Sequence, residues 1–420
     1  MARPRWVLHL QAQVWRYLMS IGMLLHRMAP PRPPKHSFVR TIKSTVSNKP
    51  GTFELHFYTP KDYDHSRRLG FKRIRDGRGY PVVINFHGGG FTLGTARDDS
   101  RWIGTVVDEC HAVVVSVDYR RAPEHPFPTA VEDGVDAVIW VAEHAEELGI
   151  DTDKIALSGF SSGGNMAFTV PLRLYDHMTG YARPGSRNAS QENLGGTSAH
   201  HGSISIDPPT TPGGTASSSS TAIDSSGSAS YKLQVPHNDR KTAMSSTNAQ
   251  PTISLCAIVP WYPSIDYTRT REQRRSTTVR KDQDLPALFT DLFDESYLHP
   301  PDTVPLDSPY LSPGIASNEH LRVALPQNIV MFTCEWDMLL AEGKEFHQRL
   351  ISDEVGKNVV YKMIEGVPHG FDKAPNPLKP TPGVKEHYLK ACKELRRVFG
   401  DDVSDFGLET RRRDSRPVVR

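Results

Sequence analysis

The chain has 420 residues, 37% of them apolar, with 50 basic and 48 acidic side chains. A formal net charge of +2 argues against a nucleic-acid partner or a polyanionic substrate. The length fits one large α/β domain with appendages as well as it fits two domains. Four cysteines (Cys110, Cys256, Cys334, Cys392) lie far apart and without metal-type spacing, so they read as free thiols in a reducing, cytoplasmic setting.

Trp6 to Met28 is rich in apolar residues at helical spacing, accompanied by Arg3, Arg5, Arg16 and Arg27. Gln11, Gln13 and Arg16 interrupt it, so it falls short of a spanning run, and it lacks the block pattern of a signal peptide. The expectation is an amphipathic helix covering part of the fold; the alternative is a helix lying on a membrane surface through residues 6–28. Ala29 to Pro34 ends the helix as a stiff connector, so residues 1–50 form an appendage to a domain spanning 51–400.

Phe53 to Tyr58 alternates like a strand, and Asp64 to Gly79 reads as a charged loop. Pro81 to Phe86 is an apolar, β-branched run that reads as a buried strand leading into His87-Gly88-Gly89-Gly90-Phe91. Three consecutive glycines are costly to order, but they let backbone N–H groups converge on one point, which is what an oxyanion hole requires. His87 reads as a structural hydrogen-bonding residue. Ser100 to Glu109 is expected to be helical, Ala112 to Val117 a buried strand, and Thr129 to Leu148 one long helix after a proline-rich connector. Ile155 to Leu157 is a further buried strand. Gly159-Phe160-Ser161-Ser162-Gly163 then fits G-x-S-x-G, with a small-residue helix after it. This order of strands and helices predicts a mostly parallel sheet covered on both faces.

From Gly195 to Ser230, 22 of the 36 residues are Ser, Thr or Gly, too few apolar groups to offset chain entropy. Residues 181–250 are therefore expected to be a disordered insertion. Its Asn188-Ala189-Ser190 sequon is expected to be silent, and His200-His201 lacks further ligands for a metal. Ile253 to Val259 resumes the sheet, and 269–313 is expected to form a helical cap. Asn328 to Thr333 is the next strand, with Glu335 and Asp337 just beyond it, and Leu339 to Leu350 a helix. Val359 to Ile364 is the last strand, with His369 in the following loop. Glu386 to Val398 closes the domain, and 401–420 is a basic tail.

A serine hydroxyl needs a base, and the base needs a carboxylate to fix its tautomer. Asp337 and His369 follow Ser161 in the order Ser, Asp, His, each after an expected strand. Ser158 and Ser162 are off-centre between the glycines, Glu335 is an alternative acid, and Asp372 is too near His369 to orient it easily.

Together HGGGF, DYRRAPEHPFP, GFSSGGN, EWDMLLAEG and GVPHGF resemble the hormone-sensitive-lipase family of α/β-hydrolases, which includes arylacetamide-deacetylase-like carboxylesterases. The resemblance implies an α/β-hydrolase fold with Ser161 as nucleophile, His369 as base and acid, and Asp337 as orienting carboxylate. Backbone N–H groups of Gly88, Gly89 and Ser162 would form the oxyanion hole. It also implies carboxylic-ester hydrolysis of small apolar molecules with no metal or cofactor. Amide, lactone or thioester cleavage, acyl transfer, and non-catalytic small-molecule binding are the rival functions. Phe160 stands where the family usually has Asp or Glu, Ser162 where it has Ala, Cys334 where it has Gly, and Ala341 where it has Asp.

Overall fold

The computed structural model describes residues 3–71, 79–181, 233–234, 252–373 and 381–400. The Asn188 sequon, the His200-His201 pair, most of the 181–250 insertion and the 401–420 tail lie outside them. In chain order the first elements are α1 (Arg5–Met28), β1 (Phe38–Lys43), β2 (Thr52–Tyr58), α2 (Tyr63–Arg68), β3 (Tyr80–Phe86), α3 (Ser100–Cys110) and β4 (Val113–Asp118). Next come α4 (Thr129–Glu143), α5 (Ala145–Leu148), β5 (Ile150–Phe160), α6 (Ser162–Thr179), β6 (Leu233–Gln234), β7 (Thr252–Ile253) and β8 (Leu255–Trp261). The last are α7 (Arg271–Ser276), α8 (Ala287–Tyr297), α9 (Asn318–Ala324), β9 (Asn328–Trp336), α10 (Leu340–Leu350), β10 (Asn358–Pro368) and α11 (Val384–Phe399).

Eight strands form one sheet in the order β1-β2-β4-β3-β5-β8-β9-β10. β1, β2 and β4 pair antiparallel, and every pairing from β4 to β10 is parallel. The period-two geometry of a strand divides its side chains between two cores. Val82, Ile84 and Phe86 of β3, with Val113, Val115 and Val117 of β4, face the core under α4 and α6. Val83 and Val114 face the opposite core, where α3 and α11 contribute Trp102, Ile103, Tyr388 and Leu395. Because both faces are covered, the central strands are apolar throughout.

Several expectations change. The stretch expected as loop after Asp64 begins as helix α2, anchored by buried Tyr63, whose hydroxyl donates to the Leu148 carbonyl at 3.0 Å. The expected single helix over 129–148 is broken at His144, whose ring stacks on Trp140. β10 runs on to Pro368 and shortens the loop before His369. β1 was not foreseen; as an outer strand it carries a half-exposed, mixed pattern. All four cysteines are free, three of them buried.

α1 does cover part of the body, burying Leu8, Ala12 and Met23 and setting Trp15 edge-on against Phe289 at 4.6 Å, and arginines add polar ties. Arg16 donates to both Glu124 carboxylate oxygens at 2.9 and 2.8 Å and to the Thr92 and Ala122 carbonyls. Arg3 pairs with Glu295 and Arg27 with Asp98. The outward face carries Trp6, Leu10, Val14, Tyr17, Leu18, Ile21, Leu24, Leu25 and Met28, with Trp6 69% and Tyr17 68% exposed. Among the described residues no helix is long and apolar enough to cross a membrane.

Candidate active site

The sharp turn from β5 into α6 requires backbones to approach closely. A Cβ on Gly159 would lie 2.1 Å from the Gly163 carbonyl oxygen, and one on Gly163 would lie 2.0 Å from that of Phe86. Only glycine fits either place. Between them Ser161 is held at φ 56°, ψ −114°, a sparsely populated backbone conformation for a residue with a side chain, and its N–H donates to the Trp261 carbonyl at 2.9 Å. The strained turn lifts Ser161 Oγ off the sheet at the N-terminus of α6, where unpaired N–H groups and the helix dipole favour negative charge.

Parallel pairing brings the C-terminal ends of β3, β5, β8, β9 and β10 to one end of the sheet. Asp337 follows β9 and His369 follows β10. His369 Nε2 lies 2.8 Å from Ser161 Oγ, and His369 Nδ1 lies 2.7 Å from Asp337 Oδ2. Asp337 is buried, and its second oxygen accepts the Leu339 N–H at 3.0 Å, which fixes the carboxylate plane. With Nδ1–H directed at the carboxylate, Nε2 presents its lone pair to the serine hydroxyl.

Glu335 and Ser158 are engaged elsewhere. Glu335 accepts the Gly366 N–H, and the hydroxyl of Ser158 donates to buried Asn85. His87 is buried, stacks on Tyr119 and contacts the Gly88 carbonyl through Nδ1. A methyl group on Gly88 would sit 3.5 Å from Ser161 Cβ, so this glycine flanks the serine. Gly89, at φ +116°, turns the loop and accepts the Thr92 and Leu93 N–H groups. Gly90 and Ser162 line a pocket of about 40 Å³ together with Ser161, His369, Phe293 and Met338.

Sequence reading missed the support behind the histidine. The buried ring of Tyr262 meets the His369 ring edge-on, with centroids 4.8 Å apart, and its hydroxyl donates to Asp372 at 2.5 Å. Tyr388 donates to the other oxygen of Asp372, and Lys373 bridges Asp372 and Asp99 at 2.7 and 2.8 Å. Burial raises the Tyr262 hydroxyl well above its ordinary pKa, and the charge on Asp372 adds to this. Burial opposes charge on Asp372, but Lys373 and the two tyrosine hydroxyls outweigh it and hold the carboxyl below its ordinary value. The Lys373 ammonium lies 3.7 Å from the Phe160 ring centroid, so the aromatic face meets a cation directly beneath the turn. The juxtaposed Asp372-Lys373 pair two residues after His369-Gly370 was the signal available in the sequence.

Apart from this site, Glu54, His56 and Asp118 bring ligand atoms within 4.8 Å of one another and are, among the described residues, a cluster able to hold a cation. None of the three contacts Ser161, His369 or Asp337.

A family model described as alpha/beta hydrolase fold matches residues 83–219 and 240–373, more than half of the chain. Esterase LipI of Mycobacterium tuberculosis is 36% identical over 146 residues, 35% of this chain and 42% of that protein. An arylesterase of Saccharolobus solfataricus is 40% identical over 119 residues, covering 28% and 38%. Human hormone-sensitive lipase is 41% identical over 96 residues, covering 23% and 9%, so the matched segments span less than half of each relative. The solved structure of a hyperthermophilic esterase from Pyrobaculum calidifontis superposes with a TM-score of 0.60 over 94% of this chain and 97% of that one, at 23% identity, a likeness of fold. The chain therefore belongs to the family of alpha/beta hydrolase fold, and segments of it are similar to hormone-sensitive lipases.

Proposed function

We propose that the protein hydrolyses carboxylic esters of small apolar molecules through an acyl-enzyme on Ser161. The observation that carries this reading is the continuous hydrogen-bonded line from Ser161 Oγ through His369 to Asp337, within 2.8 Å at each step. Ser161 Oγ attacks the ester carbonyl carbon while its proton passes to His369 Nε2. The new imidazolium is stabilised by the Asp337 carboxylate, and the tetrahedral oxyanion takes hydrogen bonds from the N–H groups of Gly88, Gly89 and Ser162. Collapse breaks the bond to the alcohol oxygen, which leaves with the proton from Nε2. Water then enters, gives a proton to Nε2 and releases the acid, restoring Ser161. The test is turnover of p-nitrophenyl esters by the wild type and by Ser161→Ala, with a fluorophosphonate probe to label Ser161. A loss of at least about 10⁴-fold in kcat and of labelling is expected. Equal turnover by the variant would remove Ser161 from the mechanism.

We also propose that α1 rests on a lipid surface. Its outward face bears no charged residue over about 36 Å of helix, α1 contains no acidic side chain, and Arg32 and Lys35 are exposed just beyond its end. Sedimentation with phosphatidylcholine/phosphatidylserine vesicles should carry the protein down, and Leu18→Asp with Ile21→Asp should abolish this. A wild type that ignores vesicles but forms dimers lost in that variant would assign the face to a second copy instead. The four free thiols support a reducing, cytoplasmic compartment for the same protein.

A further inference from the structure

The pocket at Ser161 holds only about 40 Å³, little more than the space of one water molecule in the liquid. An ester bound there has two arms to place, and ligand pockets ordinarily offer several hundred Å³. Beside it, between α7 and α10, lies a second cavity of about 280 Å³. One side chain, Met338, lines both spaces.

The walls of the larger cavity have the character of an apolar subsite. Buried Met338, Arg274 and Glu342 form its inner wall, Ala341 is half-buried on one side, and exposed Gln273 and Thr277 form its mouth. Its two arginines have their charges satisfied. Arg274 Nε donates to Glu342 at 2.7 Å with both side chains buried, and Arg269 is held by Asp266 and Glu345. Glu342 also accepts the Ile265 N–H at 2.7 Å, so this wall is a fixed frame in which three carboxylates match the two arginines and leave neither cation free for an anionic ligand. Met338 is different. It has three rotatable bonds, no polar atom to leave unpaired, and space on either side, so it can move at little cost. Ala341 gives the cavity its depth, because a larger side chain there would project into it.

We propose that this cavity is the subsite for the longer apolar arm of the substrate and that Met338 sets access to it from Ser161. The inference rests on the esterase reading above and adds where the substrate's bulk is placed. The experiment measures kcat/KM for p-nitrophenyl acetate through p-nitrophenyl octanoate, and for acetate esters of alcohols from methyl to octyl. It compares the wild type with Met338→Ala and Ala341→Phe. Opening the partition should raise the long-to-short ratio roughly tenfold in one of the two series, and filling the cavity should lower it by a similar factor in the same series. The series that responds identifies the arm as acyl or alcohol. Ala341→Phe leaves Met338 and the Asp337 loop intact, so it keeps the test decisive if Met338→Ala folds poorly. Variants that turn over acetate esters with wild-type ratios in both series would overturn the subsite and leave the esterase reading standing. A wild type that hydrolyses no ester in either series and takes no phosphonate label would overturn both.

Discussion

α1 and α11 are the two long helices on the outside of the molecule, and they cover their apolar residues to different extents. α11 buries Tyr388, Ala391, Cys392, Leu395 and Phe399, spaced at three and four residues, and leaves its charges outside. α1 buries Leu8, Ala12 and Met23, is tied down further by arginines, and still presents nine large apolar residues outward. Periodicity reveals that a helix has two faces. It does not say how much of the apolar surface the protein covers.

Substitutions on the two helices should separate accordingly. Leu395→Ala removes a fully buried side chain and is expected to cost about 2–5 kcal/mol in urea denaturation. Leu18→Ala, on the open face of α1, should stay within about 0.5 kcal/mol. A large loss at Leu18 would mean that the outward face packs on something within the same chain.

The polar anchor of α1 can be tested by mutation and by pH. Arg16→Ala deletes its bonds to Glu124, Thr92 and Ala122 and should weaken docking of the helix by about 1–3 kcal/mol, read as faster amide exchange across 5–28. Burial opposes the charge on Glu124, but the hydrogen bonds from Arg16 more than compensate and hold its carboxyl down at about 2, against 4.5 for a free glutamate. A depressed carboxyl contributes its full stabilisation above its unperturbed pKa. The contribution is therefore complete above pH 4.5 and lost as the pH falls from there to about 2. Exchange in α1 should accelerate over that window, and in Arg16→Ala the acceleration should shrink. The pH effect should be smaller than that of Arg16→Ala, because the Glu124 side chain is 31% exposed and its charge is screened by solvent.

The placement of Ser161, Asp337 and His369 at strand ends could be read from the sequence, because each follows an apolar run and the glycine spacing around Ser161 is dictated by local backbone contact. The central strands β3, β4, β5, β8 and β9 were legible for the same reason: strands buried on both faces are continuous apolar runs. Features that depend on distant partners were not. β1 is a strand through its pairing with β2, with only Ile42 of its six residues buried. Met338 looks like any core methionine until the empty spaces on its two sides are seen. Phe160 was expected to change local packing. It stacks on Trp261 at 5.5 Å, and it also brings its ring to the Lys373 ammonium, a pairing between residues 213 positions apart.

The length of α6 has a consequence for how the chain accommodates residues 181–250. The helix starts beside Ser161 and runs for 18 residues, about 27 Å, before Gly180 caps it. Tyr181 then stacks on His320 of α9, and the chain re-enters the sheet at the start of β8, at the end of the strands opposite the triad. Exit is thus a helix length, and return a strand length, away from the end of the sheet that carries the reacting atoms. This makes the α6–β8 junction a port through which sequence of any length can be added, shortened or exchanged for a reporter domain without touching the hydroxyl, the imidazole or the carboxylate.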